Sequence, residues 1–65
     1  MKRIPVTSSQ ILSIGWEDSI MQVEFNKSLY QYFDVPEAVY EKVLANIFLF
    51  NDLIKKGGYQ YEKIG

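Results

Sequence analysis

The chain of 65 residues contains no cysteine and no histidine. No disulfide can hold so small a fold together, and a structural zinc site has no usual ligands. The same absences remove the commonest general base and the strongest nucleophile found in proteins, which argues against catalysis. Eight carboxylates remain, but no spacing drives two of them into one pocket. Glu37 and Glu41 lie four apart, as on the solvated face of a helix. No run approaches the roughly 20 apolar residues needed to cross a bilayer. Pro5, Thr7, Ser8, Ser9 and Gln10 interrupt the stretch after Lys2 and Arg3, so no signal-peptide core forms there. These features predict a cytoplasmic protein that needs no membrane, metal or cofactor.

Charge of one sign is lacking too. A formal net charge of −1 argues against indiscriminate nucleic-acid binding. The distribution is uneven, however. Residues 17–54 carry Glu17, Asp18, Glu24, Asp34, Glu37, Glu41 and Asp52 against only Lys27 and Lys42, while the two ends carry Lys2, Arg3, Lys55, Lys56 and Lys63 against Glu62. If the ends meet in the fold, they form one basic patch on an acidic body.

What the chain does have is apolar and aromatic surface: 48% hydrophobic residues and 15% aromatic. A chain of this length is one domain, 1–65, and buries only about 60% of its unfolded surface. Unusually good packing or self-association must supply the rest. Residues 11–16 (ILSIGW) read as a short apolar strand, followed by a turn at Glu17-Asp18-Ser19. In 20–25 (IMQVEF), Met21, Val23 and Phe25 alternate with Gln22 and Glu24, a half-buried strand. Asn26, Lys27 and Ser28 supply turn chemistry, and 29–33 (LYQYF) completes an antiparallel meander. A two-residue loop at Lys27-Ser28 opposes Phe25 to Tyr30 and Val23 to Tyr32, placing both tyrosines on the apolar face. A three-residue loop opposes Phe25 to Leu29 and turns them to the polar one. The first is favoured because it gathers Gln31 with Gln22 and Glu24.

Pro36 suits the first position of a helix, with Asp34 and Glu37 near its positive end. Val39, Val43, Ile47, Phe50 and Ile54 recur at helical spacing, and Gly57-Gly58 stops the run. A fourth strand, 59–64, repeats Tyr-Gln-Tyr. The fold class is thus α+β: a small antiparallel sheet, a three-stranded meander plus a C-terminal strand, packed against one long or two short helices. On an unbroken helix Leu44 borders the apolar stripe while Phe48 and Leu49 fall off it. Either the helix bends near Asn46 and turns both inward, or another surface covers them, which points to a homo-oligomer contact through Leu44, Phe48 and Leu49.

Val6-x-Ser8-Ser9-x-Ile11, Ser13-Ile14-Gly15-Trp16, Val23-x-Phe25 and Tyr30-x-Tyr32-x-x-Val35-Pro36 occur in that order. Together with Ala45, Phe50-Asn51, Ile54 and Tyr59, they resemble the KTSC domain, found at the C-terminus of some lysyl-tRNA synthetases and as a free-standing bacterial protein. The resemblance covers nearly the whole chain and implies RNA binding as a suggested role. It also implies a small Ser-x-Gly-type break after Ala45, which this chain lacks. That loss favours a continuous helix and, with it, a paired or exchanged oligomer.

Binding is the better-supported activity. Trp16, Tyr30, Tyr32, Tyr59 and Tyr61 are flat rings of the kind that stack on bases. Arg3, Lys55, Lys56 and Lys63 can meet phosphate, and Ser8 and Ser9 offer hydroxyls, although a turn or cap is the favoured reading of that pair. The chain thus reads as a non-catalytic, self-associating protein that sequesters a nucleotide-type ligand between copies, as phage-encoded sponges of immune-signal nucleotides do. The alternatives are an RNA-binding accessory module and a protein-interaction module.

Overall fold

The computed structural model describes residues 2–65. Five strands, β1 (Arg3–Pro5), β2 (Ile11–Glu17), β3 (Ile20–Phe25), β4 (Ser28–Tyr32) and β5 (Tyr61–Lys63), form one antiparallel sheet in sequence order. Between β4 and β5 the chain crosses one face as helix α1 (Glu37–Ala45), a 3-10 turn (Ile47–Leu49) and a π-helical turn (Asn51–Lys55). The α+β class and the meander are those expected from the sequence. β1 is not: Arg3-Ile4-Pro5 has no strand signature of its own and exists by pairing with 13–15 of β2.

The sheet separates its faces by alternation. Ile11, Ile14, Met21, Val23 and Tyr32 point at the helices and are buried with Val35, Val43, Phe50 and Ile54. The register shifts between Ile11 and Ser13, a β-bulge at Leu12 that keeps both Ile11 and Ile14 on the core face and leaves Leu12 outside. On the open face, one row crosses all five strands through Arg3, Gly15, Gln22, Gln31 and Glu62. Arg3 Nη1 donates to Gln22 Oε1 at 3.0 Å, and Gln22 Nε2 donates to Gln31 Oε1 at 3.1 Å. Gly15 permits this. A Cβ there would lie 2.9 Å from Lys2 O and 3.0 Å from Arg3 Cγ, so only glycine lets the Arg3 side chain cross β2.

The β3–β4 turn has the two-residue length of the favoured register but sits one residue earlier. Phe25 opposes Ser28 and Val23 opposes Tyr30, leaving a two-residue loop of Asn26-Lys27. The shift from the favoured register is two residues, so each side chain keeps its face. Tyr30 and Tyr32 stand on the apolar side, and Gln31 pairs with Gln22.

Of the two arrangements left open, one long helix or two short ones, the chain takes the second: it breaks at Asn46, whose backbone is extended (φ −148°, ψ 97°). Asn46 Oδ1 accepts the Phe48 N–H at 3.1 Å and so caps the next turn. Asparagine does here what the missing Ser-x-Gly break would have done, and the two-helix arrangement is kept. The break does not turn everything inward: Leu44 and Leu49 become half-buried, while Phe48 stays 85% exposed.

Candidate functional site

Two tyrosine pairs meet at the β4–β5 edge. Alternation puts Tyr30 and Tyr32 on the core face of β4, and the register sets Lys63 opposite Tyr30 and Tyr61 opposite Tyr32. Tyr59 reaches the same place from the other side. Its ring lies over Gly57, where a Cβ would come within 2.8 Å of it. The result is a groove of about 550 Å³ lined by Phe25, Ser28, Tyr30, Tyr32, Ile54, Lys55, Tyr59 and Tyr61.

The rings are held in mutual contact. Tyr61 is tilted against Tyr32 (centroids 5.5 Å) and Tyr30 (5.9 Å), while Phe25 meets Tyr30 edge-on at 5.6 Å. Phe50 supports Tyr32 and Phe25 from beneath, edge-on at 5.9 and 6.0 Å. Such contacts each add about 0.5–1.5 kcal/mol beyond burial, so the walls are braced before any ligand arrives. The floor is closed and the rim is open: Tyr32 is 5% exposed and Tyr61 62%. Burial, then the neighbouring phenols of Tyr61 and Tyr30, push the Tyr32 hydroxyl above the ordinary tyrosine pKa. The Tyr32 phenol is therefore neutral at physiological pH, and Lys55 is the one charged residue of the lining among the described residues.

The other candidates lie elsewhere. Arg3 is on β1, at the opposite edge of the sheet, engaged with Gln22. The two basic ends therefore do not meet, and the described residues form no single basic patch. Trp16 donates its indole N–H to Val35 O at 2.8 Å and stacks on Tyr40 (6.4 Å, 22°), fastening the sheet to α1. Ser8 Oγ accepts from the Gln10 and Ile11 N–H groups at 3.3 Å, the turn role. Ser9 sits beside it in a separate depression with Phe48. Lys56 pairs with Asp52 at 3.6 Å, both largely exposed. Phe25, Ser28 and Ile54 line the groove although the sequence marks them only as strand, turn and helix stripe. Phe25's place at the hairpin end next to Tyr30 was the available signal.

The groove is built within one chain, and neither Phe48 nor Leu49 lines it.

This sheet, with a broken helical crossover over one face, matches a known family. The KTSC domain model covers residues 7–46. The chain belongs to the KTSC domain family. It is similar to the crystal structure of a KTSC domain protein from Yersinia pestis, with 36% identity over 98% of this chain and 97% of the other and a TM-score of 0.84. No curated protein matches it. The KTSC model spans Phe25, Ser28, Tyr30 and Tyr32 but stops before Lys55, Tyr59 and Tyr61. One wall of the groove thus lies within the matched region and the other outside it. No helix among the described residues is long and apolar enough to cross a membrane.

Proposed function

We propose that this KTSC domain is a non-catalytic binding protein whose tyrosine groove takes a small nucleotide-type ligand, a base among the rings and a phosphate at Lys55. The observation that carries this is the convergence of four tyrosines and one lysine around a single open groove. Its volume is within the usual range for small-molecule sites. Flat rings recognise any base face, and neutral phenols donate and accept without repelling a phosphate. Lys63, across from Tyr30 on β5, is the next nearest cation by register. One or two cations suit a ligand with one or two phosphates better than a polyphosphate or a long RNA. Ser28 is the only aliphatic hydroxyl among the described residues of the lining, with no carboxylate or imidazole in that lining to activate it. Retention without turnover, which is sequestration, is the activity these groups support.

The test titrates ¹⁵N-labelled protein with adenosine monophosphate and, separately, with cyclic di-adenosine monophosphate. Shifts should concentrate at Ser28–Tyr32, Lys55 and Tyr59–Tyr61. Tyr61→Ala should weaken the binding about 5- to 150-fold, the worth of one stacking ring. Its melting temperature should fall by several degrees, because the substitution also removes the ring contacts with Tyr30 and Tyr32. Silence with both nucleotides at millimolar concentration, alongside groove shifts with a single-stranded RNA oligomer, would replace this reading with the RNA-binding one.

A further inference from the structure

Phe48 is the most exposed large apolar side chain of the described residues, at 85%. It stands between two depressions. One, of about 430 Å³, includes Ile4, Pro5, Val6, Leu44 and Ala45; the other, of about 220 Å³, is mostly polar, with Ser8, Ser9, Gln10 and Asn51 beside Ile11 and Phe50. Neither is lined by a charged residue among those described, in a chain that is 23% charged. Neither shares a residue with the tyrosine groove.

We infer that this patch is a two-fold contact between two copies of the chain, each Phe48 entering the other's furrow between β1 and the end of α1. Three observations select a second copy as the occupant. An apolar knob beside an apolar furrow is self-complementary: under a two-fold axis residue i meets j and j meets i, so both knobs and both furrows are used. A patch without charge brings two equally acidic molecules together with no like-charge contact, and it offers nothing to a partner recognised by charge. Sheet extension along the β1 edge is weakened: Val6 N–H donates inward to Leu12 O, so by alternation Arg3 and Pro5 face that open edge, and Pro5 has no N–H to give. The two depressions involve fewer residues than the roughly 20–30 a side of a standard interface, which places the contact among weak, reversible ones.

Sedimentation velocity from 1 µM to 1 mM tests this on the full chain. The wild type should pass from monomer to dimer across that range. Phe48→Glu should raise the dissociation constant by about 100-fold or more, as loss of a central aromatic anchor does, and should melt within a few degrees of wild type. Ala45→Arg, an exposed helix position in the furrow, should do the same. An equimolar mixture of the two variants should recover dimer. One Phe48 then finds an intact furrow, and in the other half the introduced carboxylate faces the introduced guanidinium. A wild type that stays monomeric at 1 mM overturns the inference, as does a Phe48→Glu variant whose dissociation constant is the same as that of wild type. Two monomeric variants that fail to associate on mixing overturn the two-fold geometry. Nucleotide binding enters none of these outcomes, so the groove and the dimer stand or fall separately.

Discussion

Tyr32 is where packing and chemistry of the groove meet in one side chain. Its ring belongs to the core and its hydroxyl to the groove floor. Burial first, then the phenols of Tyr61 and Tyr30, raise its pKa in the folded state. Tyr40, held against Trp16, is raised by burial alone. The sign of the consequence is fixed. The neutral phenol is favoured in the fold, so the unfolded chain loses its protons first as pH rises past about 10, the free tyrosine value. The contribution to stability is complete below that pH and is lost as pH climbs through the higher folded pKa. Urea midpoints should therefore be level from pH 7 to 9 and fall above pH 10. Tyr32→Phe keeps the ring and removes the titrating group, so its alkaline decline should be shallower, the remainder coming from Tyr40. Parallel declines in the two proteins would remove Tyr32 from this account.

Among the elements, the break at Asn46 decides the most. A strict helical continuation from α1 would carry Phe48 and Leu49 round the outside. The extended Asn46 backbone resets the phase, and its side chain satisfies the Phe48 N–H in the next turn. Asn46→Ala removes that cap and should lower stability by about 0.5–2 kcal/mol in urea unfolding. A loss below that range would mean that the tertiary packing of Phe50 and Ile54 holds the second segment without it. The sequence could not reveal the break because Val39, Val43, Ile47, Phe50 and Ile54 satisfy a straight helix and a broken one alike. Strands β2 to β4 were legible because period-two alternation is written into them, and the tyrosine face survived a two-residue misreading of the register for the same reason. β1 was not, since its three residues acquire their role only from a partner ten residues away. Half the groove was legible as two Tyr-Gln-Tyr repeats. That they face each other follows from β5 pairing with β4, and the third wall comes from a π-helical turn that periodicity does not announce.

Across the whole molecule, the sheet order keeps the basic ends apart. β1 and β5 are opposite edges, four strand spacings or roughly 19 Å from one another, so Arg3 cannot join Lys55 and Lys63 on one ligand. Lys56 is paired with Asp52 and the body between is acidic. The number of phosphates this domain can neutralise at once is therefore small, and that number is measurable. For single-stranded nucleic acids the logarithm of the binding constant falls with the logarithm of salt at about 0.7 per neutralised phosphate. With one or two cations at the groove, nucleotide binding should follow salt with a slope of about −1, and Lys55→Gln should make it shallower by about 0.7. Phe48→Glu should leave that slope and the nucleotide affinity where they were, because the two surfaces share no residue. A slope of about −4 or steeper with a single-stranded RNA would require cations gathered from both edges of the sheet. The intramolecular geometry forbids that, and only an assembly of several copies could supply it. Shallow salt dependence with strong ring dependence is the signature of a groove that recognises a small aromatic ligand by its face.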